Sequence, residues 1–103
     1  MKYGLPQIYC DMDGVLCDFK KHAEKTVGVS IKKWMNLPKE GKWDPIVNKG
    51  DFWSTMPWMA GGKQLWQFIS KFNPDILSAH VEDYRDPTCI PGKTLWAKRN
   101  LGI

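Results

Sequence analysis

The chain reads as an α/β domain built on a parallel sheet with flanking helices, and three observations predict this. A short apolar run from Leu5 to Cys10 ends in two acids one residue apart, Asp11 and Asp13, followed by Gly14. Between Gly62 and Phe72, the residues Leu65, Phe68, Ile69 and Phe72 stand at i, i+3, i+4 and i+7, the spacing of one helix face. A second apolar pair, Ile76-Leu77, follows the helix stop Asn73-Pro74. Strand, helix and strand in that order imply a right-handed crossover that lays the helix on two parallel strands.

The first strand, Leu5 to Cys10, is predicted to be buried, and open α/β folds place ligand chemistry at the carboxyl ends of such strands. In an extended chain Asp11 and Asp13 would point to one face. Gly14 then allows a sharp turn. Two neighbouring carboxylates repel and are costly to bury, so the pair implies a cation or a shared proton. With oxygen ligands the natural cation is Mg²⁺, which suits phosphate chemistry. The bland alternative is a solvated, Asp-rich turn. The apolar lead-in and the Gly-Val-Leu-x-Asp continuation favour the functional reading.

Asp18 to Val27 is predicted as a helix, with Asp18 as its cap, Phe19, His22, Ala23 and Val27 near one face, and Gly28 as its end. From Ser30 to Pro57 the chain is broken by Pro38, Gly41, Pro45 and Gly50, so short helices and loops are expected. The helix from Gly62 follows, then the strand at Ile76-Leu77. Ser78, on its own, reads as a turn residue or helix cap. Residues 80–92 are polar and proline-punctuated and read as a loop. Lys93 to Asn100 is predicted as a last helix, with Leu95 and Trp96 inward and Gly102 as its stop. Lys93 falls in the first turn, an unfavourable place for a cation unless an anion or water meets it. His22 and His80 lack the partners of a metal ligand, and no Gly-rich phosphate loop or internal repeat is present.

Asp11-Met12-Asp13-Gly14-Val15-Leu16-Cys17-Asp18-Phe19 resembles the first motif of the haloacid dehalogenase superfamily, in the form found in the 5′(3′)-deoxyribonucleotidases and their phage and bacterial relatives. Phe52-Trp53, Pro57-Trp58-Met59 and Gly61-Gly62-Lys63-x-Leu65-Trp66 are similar to the segment that leaves the family's small cap and enters its core. Asp75-Ile76-Leu77-Ser78-Ala79 resembles the second motif, and Gly92-Lys93-x-x-Trp96 with Asn100-Leu101-Gly102 the helix after it. The resemblance implies a partial Rossmannoid parallel sheet forming one domain over 1–103, with core 1–18 and 58–103 and a small helical cap insertion at about 19–57. It implies that Asp11 is the nucleophile, that Asp13 is the general acid and base, and that both serve the Mg²⁺ site, Asp13 through its backbone carbonyl. Ser78, with Lys93, would bind the transferring phosphoryl group. Phe19 matches an aromatic that stacks on the base, and Trp34, Trp43, Phe52 and Trp53 are candidates for the same pocket. In those relatives the motif-three lysine and a motif-four acidic pair lie further downstream. This chain is therefore expected to be truncated before both, with Lys93 outside the motif-three role and with weakened Mg²⁺ affinity and turnover.

Composition narrows the rest. A chain of 103 residues buries about 60–70% of its extended surface, and 43% hydrophobic content argues against disorder. Six tryptophans exceed what so small a core easily encloses, so several are expected to be half-exposed or to line a pocket. The net charge of +4 is spread over 20–49 and 93–99, which suits an anionic substrate. No nucleic-acid motif accompanies it, and nucleic acid is not the expected partner. Cys10, Cys17 and Cys89 form no CxxC pair, which fits a reducing, cytoplasmic setting. No apolar stretch approaches the ~20 residues of a membrane span. The expected function is a Mg²⁺-dependent phosphomonoesterase that releases phosphate from a deoxynucleoside monophosphate through an aspartyl-phosphate. The alternative is a catalytically impaired protein that binds nucleotide or phosphate, or a second copy or partner chain supplying the missing strands.

Overall fold

The computed structural model describes residues 6–103, so Leu5 of the first expected strand lies outside the described residues. The elements run β1 (Tyr9–Asp11), α1 (Phe19–Val27), α2 (Ile31–Met35), α3 (Asp44–Lys49), α4 (Gly62–Ile69), a 3₁₀ turn (Ser70–Phe72), β2 (Asp75–Leu77) and α5 (Cys89–Leu101). β1 and β2 pair in parallel, with Tyr9 opposite Asp75, Cys10 opposite Ile76 and Asp11 opposite Leu77. The chain is thus a small α/β unit whose two strands end side by side at Asp11 and Leu77. No helix among the described residues is long and apolar enough to cross a membrane.

Local chemistry explains the boundaries. Asp18 caps α1 by accepting from the Lys21 amide at 3.1 Å, and Gly28 closes it in the left-handed conformation. Ser30 caps α2 in the same way, and Pro45 sits in the first turn of α3, where its missing N–H has no intrahelical partner to lose. Residues 18 and 57, where the 19–57 segment leaves and rejoins the core, are joined by the Asp18 amide donating to Pro57 O at 2.9 Å.

A single apolar cluster unites the strand-and-turn residues Cys10, Met12, Leu16 and Cys17 with Trp34, Ile46, Phe52, Trp53 and Met56 of the 19–57 segment and with Trp66, Cys89, Trp96 and Leu101. The tryptophans are enclosed more fully than composition suggests. Trp34, Trp53, Trp66 and Trp96 are buried, and Trp43 and Trp58 are partly so. Three of these indoles find acceptors: Trp34 donates to Lys42 O, Trp96 to Met56 O and Trp53 to Asp86, which removes the desolvation cost of burying the N–H.

Three elements depart from the sequence expectation. The first is β1, expected to be buried: it buries only Cys10 and leaves Tyr9 and Asp11 exposed, because a sheet of two short strands leaves one face uncovered. The stripe on α4 faces outward: Leu65, Phe68 and Phe72 are exposed, while Gly62 and Trp66 form the buried side and Ile69 packs at its margin. Periodicity defines a stripe but not what covers it, and a pair of three-residue strands is too narrow to do so. α5 begins at Cys89, not Lys93, because Pro91 and Gly92 lie in its first turn and proline is tolerated there. Within α5 Leu95 is exposed, while Lys93 and Trp96, three residues apart on one face, both turn inward.

Two predictions follow from burial. All three cysteines are buried thiols pushed up from their ordinary value by desolvation, Cys17 to about 12 with Asp13 adding to the effect. Ellman's reagent at pH 8 should therefore label the folded protein slowly, Cys17 slowest, and label all three at once in denaturant. His22 donates from Nε2 to Phe52 O at 3.0 Å, and burial holds its pKa below 6.5. The unfolded chain then takes the proton first as pH falls through about 6.5, so stability is full above that point and declines below it. The thermal midpoint should fall between pH 7.5 and 5.5, and His22→Gln, which keeps a donor for Phe52 O, should reduce that dependence.

Candidate functional site

After Asp11 the chain curls around a single carbonyl. Met12 O accepts from the amides of Val15, Leu16 and Cys17 at 3.2, 2.9 and 2.9 Å, and the Gly14 amide donates to Cys17 O at 2.8 Å. Gly14 takes φ +79°, which a side chain would strain. This turn draws Asp13 off the strand line. The acids consequently part company: Asp11 is exposed, whereas Asp13 is drawn toward the interior.

Lys93 is the centre of what gathers there. Its ammonium donates to Asp13 Oδ2 at 2.8 Å, to Ser78 Oγ at 2.7 Å and to Ala79 O at 2.6 Å, and the side chain is only 8% exposed. A buried cation needs such partners, since an unpaired one would carry a large desolvation penalty. Its fourth neighbour is the indole of Trp53, with Nζ 5.1 Å from the ring centroid, a cation–π contact. Asp13 Oδ1 is buried and accepts no hydrogen bond among the described residues.

Ser78 links two openings. On one side a shallow recess of about 530 Å³ is lined by Tyr9, Asp11, Leu77, Ser78 and Ala79. On the other, a more apolar cleft of about 500 Å³ includes Met12, Ile76, Ser78, His80 and Lys93. Asp11, Ser78, Lys93 and Asp13 thus line one neighbourhood at the carboxyl ends of the strands, with Asp11 on the open side and the Lys93–Asp13 pair on the closed side.

The aromatic residues expected to bind a base are packed mainly against one another. Phe19 stacks on Trp53 at 5.6 Å and 15°, Trp34 meets Trp43 edge-on at 4.8 Å, and Phe52 meets Trp53 edge-on at 4.9 Å. Trp34 and Trp53 are 4% and 2% exposed, so their faces are already occupied, that of Trp53 in part by Lys93. Trp43 keeps accessible surface and lines a recess of about 310 Å³ with Lys39, Asp44, Tyr84 and Arg85. His80 borders the apolar cleft, and His22 is satisfied elsewhere.

Sequence reasoning missed two participants. The Ala79 carbonyl is invisible to any residue-type argument. Asp86 is fully buried and accepts from Trp53 Nε1 at 2.7 Å; in Tyr84-Arg85-Asp86-Pro87 it carries only the signal of a turn.

Among the described residues no three His, Cys, Asp or Glu side chains cluster as a metal-holding group. The exposed Asp11 carboxylate is nevertheless open to an ion of the Mg²⁺ type, which keeps several waters and takes one or two carboxylates plus phosphate oxygens. Asp13 Oδ1, by contrast, is buried, so Asp13 would have to meet such an ion through its backbone carbonyl. Comparison of the chain with protein-family models, curated proteins and solved structures finds no match.

The Lys93–Asp13 pair gives an asymmetric prediction. Asp13→Ala strands an ammonium whose side chain is 8% exposed, and Lys93→Met strands a carboxylate whose side chain is 32% exposed. Urea denaturation should show Asp13→Ala to be the more damaging, by about 2–4 kcal/mol against about 1–3 kcal/mol.

Proposed function

We propose that the chain is a phosphomonoesterase of the haloacid dehalogenase type, its two strands forming part of a Rossmannoid sheet, with deoxynucleoside monophosphates as substrates. The observation that carries the reading is the buried Lys93 ammonium, held between Asp13 and Ser78 at the end of the parallel strands. The three donors of that ammonium are taken by Asp13, Ser78 and Ala79, so a phosphoryl oxygen would bind by displacing one of these acceptors, with the Ser78 hydroxyl beside it.

In this reading the exposed Asp11 carboxylate attacks phosphorus and forms an acyl phosphate while the phosphorus–oxygen bond to the nucleoside breaks. Asp13, paired with Lys93 as a carboxylate, first takes up a proton from solvent, gives it to the departing oxygen, and then takes one from the water that attacks the acyl phosphate, which restores Asp11 and frees phosphate. Ser78 and Lys93 hold the phosphoryl oxygens and offset the repulsion between carboxylate and phosphate dianion. The Asp11 carboxylate and Asp13 would hold Mg²⁺, which when bound supplies further neutralisation of the phosphate charge. The apolar cleft beside Ser78 and Lys93 offers the leaving group a non-aqueous surface.

A second reading is a protein that binds phosphate, nucleotide or a partner chain without hydrolysis. The exposed Tyr9 and Leu77, 58% and 57% accessible on adjoining strands, favour it, because unpaired strand edges with apolar side chains invite a partner.

Phosphate release from dTMP and dUMP, with and without Mg²⁺, separates the two. Hydrolysis is expected to be metal-dependent and to fall by about 10³-fold or more in Asp11→Asn. Absence of release from folded protein that still binds inorganic phosphate would favour the binding reading.

A further inference from the structure

Asp86 lies on the loop before α5, is fully buried, and forms no ion pair among the described residues. A carboxylate so placed is costly, and its contacts show what offsets the cost. Oδ1 is used locally, accepting from the Thr88 amide at 2.9 Å and from the Thr88 hydroxyl. That is an ordinary turn ahead of a helix, and it accounts for one oxygen only. Oδ2 reaches across the molecule to the Trp53 indole N–H at 2.7 Å.

Trp53 is held at three points. Its Cβ lies against Gly92, where an added Cβ would come within 2.6 Å, so the α5 backbone one residue before Lys93 touches it directly. Phe19 stacks on its ring at 5.6 Å. The Asp86 bond fixes the remaining freedom, rotation of the indole about its stem. The ring so fixed carries the Lys93 ammonium 5.1 Å from its centroid. Donation of the indole N–H to a carboxylate also moves electron density into the ring, which strengthens its hold on a cation.

We propose that Asp86 is a positioning residue for Lys93, acting through Trp53: its carboxylate sets the indole so that the ring face aims the ammonium at Ser78 and Asp13. The functional part of this rests on the reading of Lys93 as a ligand for phosphoryl oxygens. It makes the 19–57 segment, through Trp53, a component of the anion site and not merely its neighbour.

The sign of one measurement discriminates. By Coulomb's law alone, removing the Asp86 charge near an anion site tightens binding of inorganic phosphate. If Asp86 positions Lys93, Asp86→Asn instead weakens it, by about two- to fivefold, the scale of one cation–π contact. The same substitution in a Trp53→Phe background should change the dissociation constant by less than about twofold. NMR reads the positioning without any ligand. In the wild type the Trp53 indole N–H, assigned with Trp53→Phe, should lie downfield and exchange slowly. The Lys93 εCH₂ protons, assigned with Lys93→Arg, should be shifted upfield by the ring. Asp86→Asn should move both signals toward free-residue positions while the rest of the spectrum is kept. Tighter or unchanged phosphate binding, or unmoved Lys93 signals, overturns the proposal. Failure of the wild type to bind phosphate while both signals respond removes the phosphoryl reading and leaves the positioning intact. Should Asp86→Asn not fold, the wild-type spectrum decides: an exposed indole N–H or an unshifted Lys93 εCH₂ overturns it.

Discussion

The constraint on which this small structure turns is the burial of one ammonium group. Lys93 leaves water only because four distant pieces of chain meet it: the turn after β1 through Asp13, the end of β2 through Ser78 and Ala79, the 19–57 segment through Trp53, and α5, which carries the lysine itself. Each contact is individually modest, but the alternative is a cation in an apolar interior, whose penalty exceeds any one of them. The polar centre therefore dictates how the apolar parts close around it. Trp53, Met12, Cys89 and Trp96 all belong to the one apolar cluster.

The strands contribute direction more than stability. At three residues each they form few ladder bonds, and the sheet they make is narrower than strand pairs ordinarily need for independence. Their parallel register does one specific thing: it brings Asp11 and Leu77 level, so that the residues after each strand converge. The turn gathered on the Met12 carbonyl then separates the two acids, one toward solvent and one toward the lysine. Two carboxylates that would repel as neighbours are given different environments, which is the arrangement that acid–base division of labour requires.

Much of this was legible in the amino-acid order because it is local. Asp18 and Gly28 bound α1, Asn73-Pro74 ends the α4 region and Gly102 ends α5, each by a backbone preference acting within a few residues. The pattern Asp11-x-Asp13-Gly14 and the residue Ser78 read as following two strands, and the parallel pairing of β1 and β2 brings those strand ends side by side. What was not legible depends on contacts far apart in sequence. The apolar stripe of α4 was visible, but not that Leu65, Phe68 and Phe72 would face outward. The start of α5 was hidden behind Pro91 and Gly92, residues that usually signal a break, and the inward turn of Lys93 depends on its distant acceptors Asp13, Ser78 and Ala79. Asp86 meets Trp53 across 33 positions, and no periodicity announces such a pair.

The closure at Asp18 and Pro57 has a consequence for how such a chain tolerates change. The two backbone crossings that bound the 19–57 segment are held together by one amide–carbonyl bond of 2.9 Å, so the segment begins and ends at practically the same point in space. A segment with adjoining ends can change length at its exposed loops without pulling the strands out of register, provided the side chains it lends to the shared apolar cluster are kept. The aromatic pair Phe52-Trp53, just before the return, is the exception that any replacement would need to preserve. Change is tolerated at the exposed positions between residues 20 and 51, while Phe19, Ala23, Trp34 and Ile46 stay fixed together with the strand ends and their lysine.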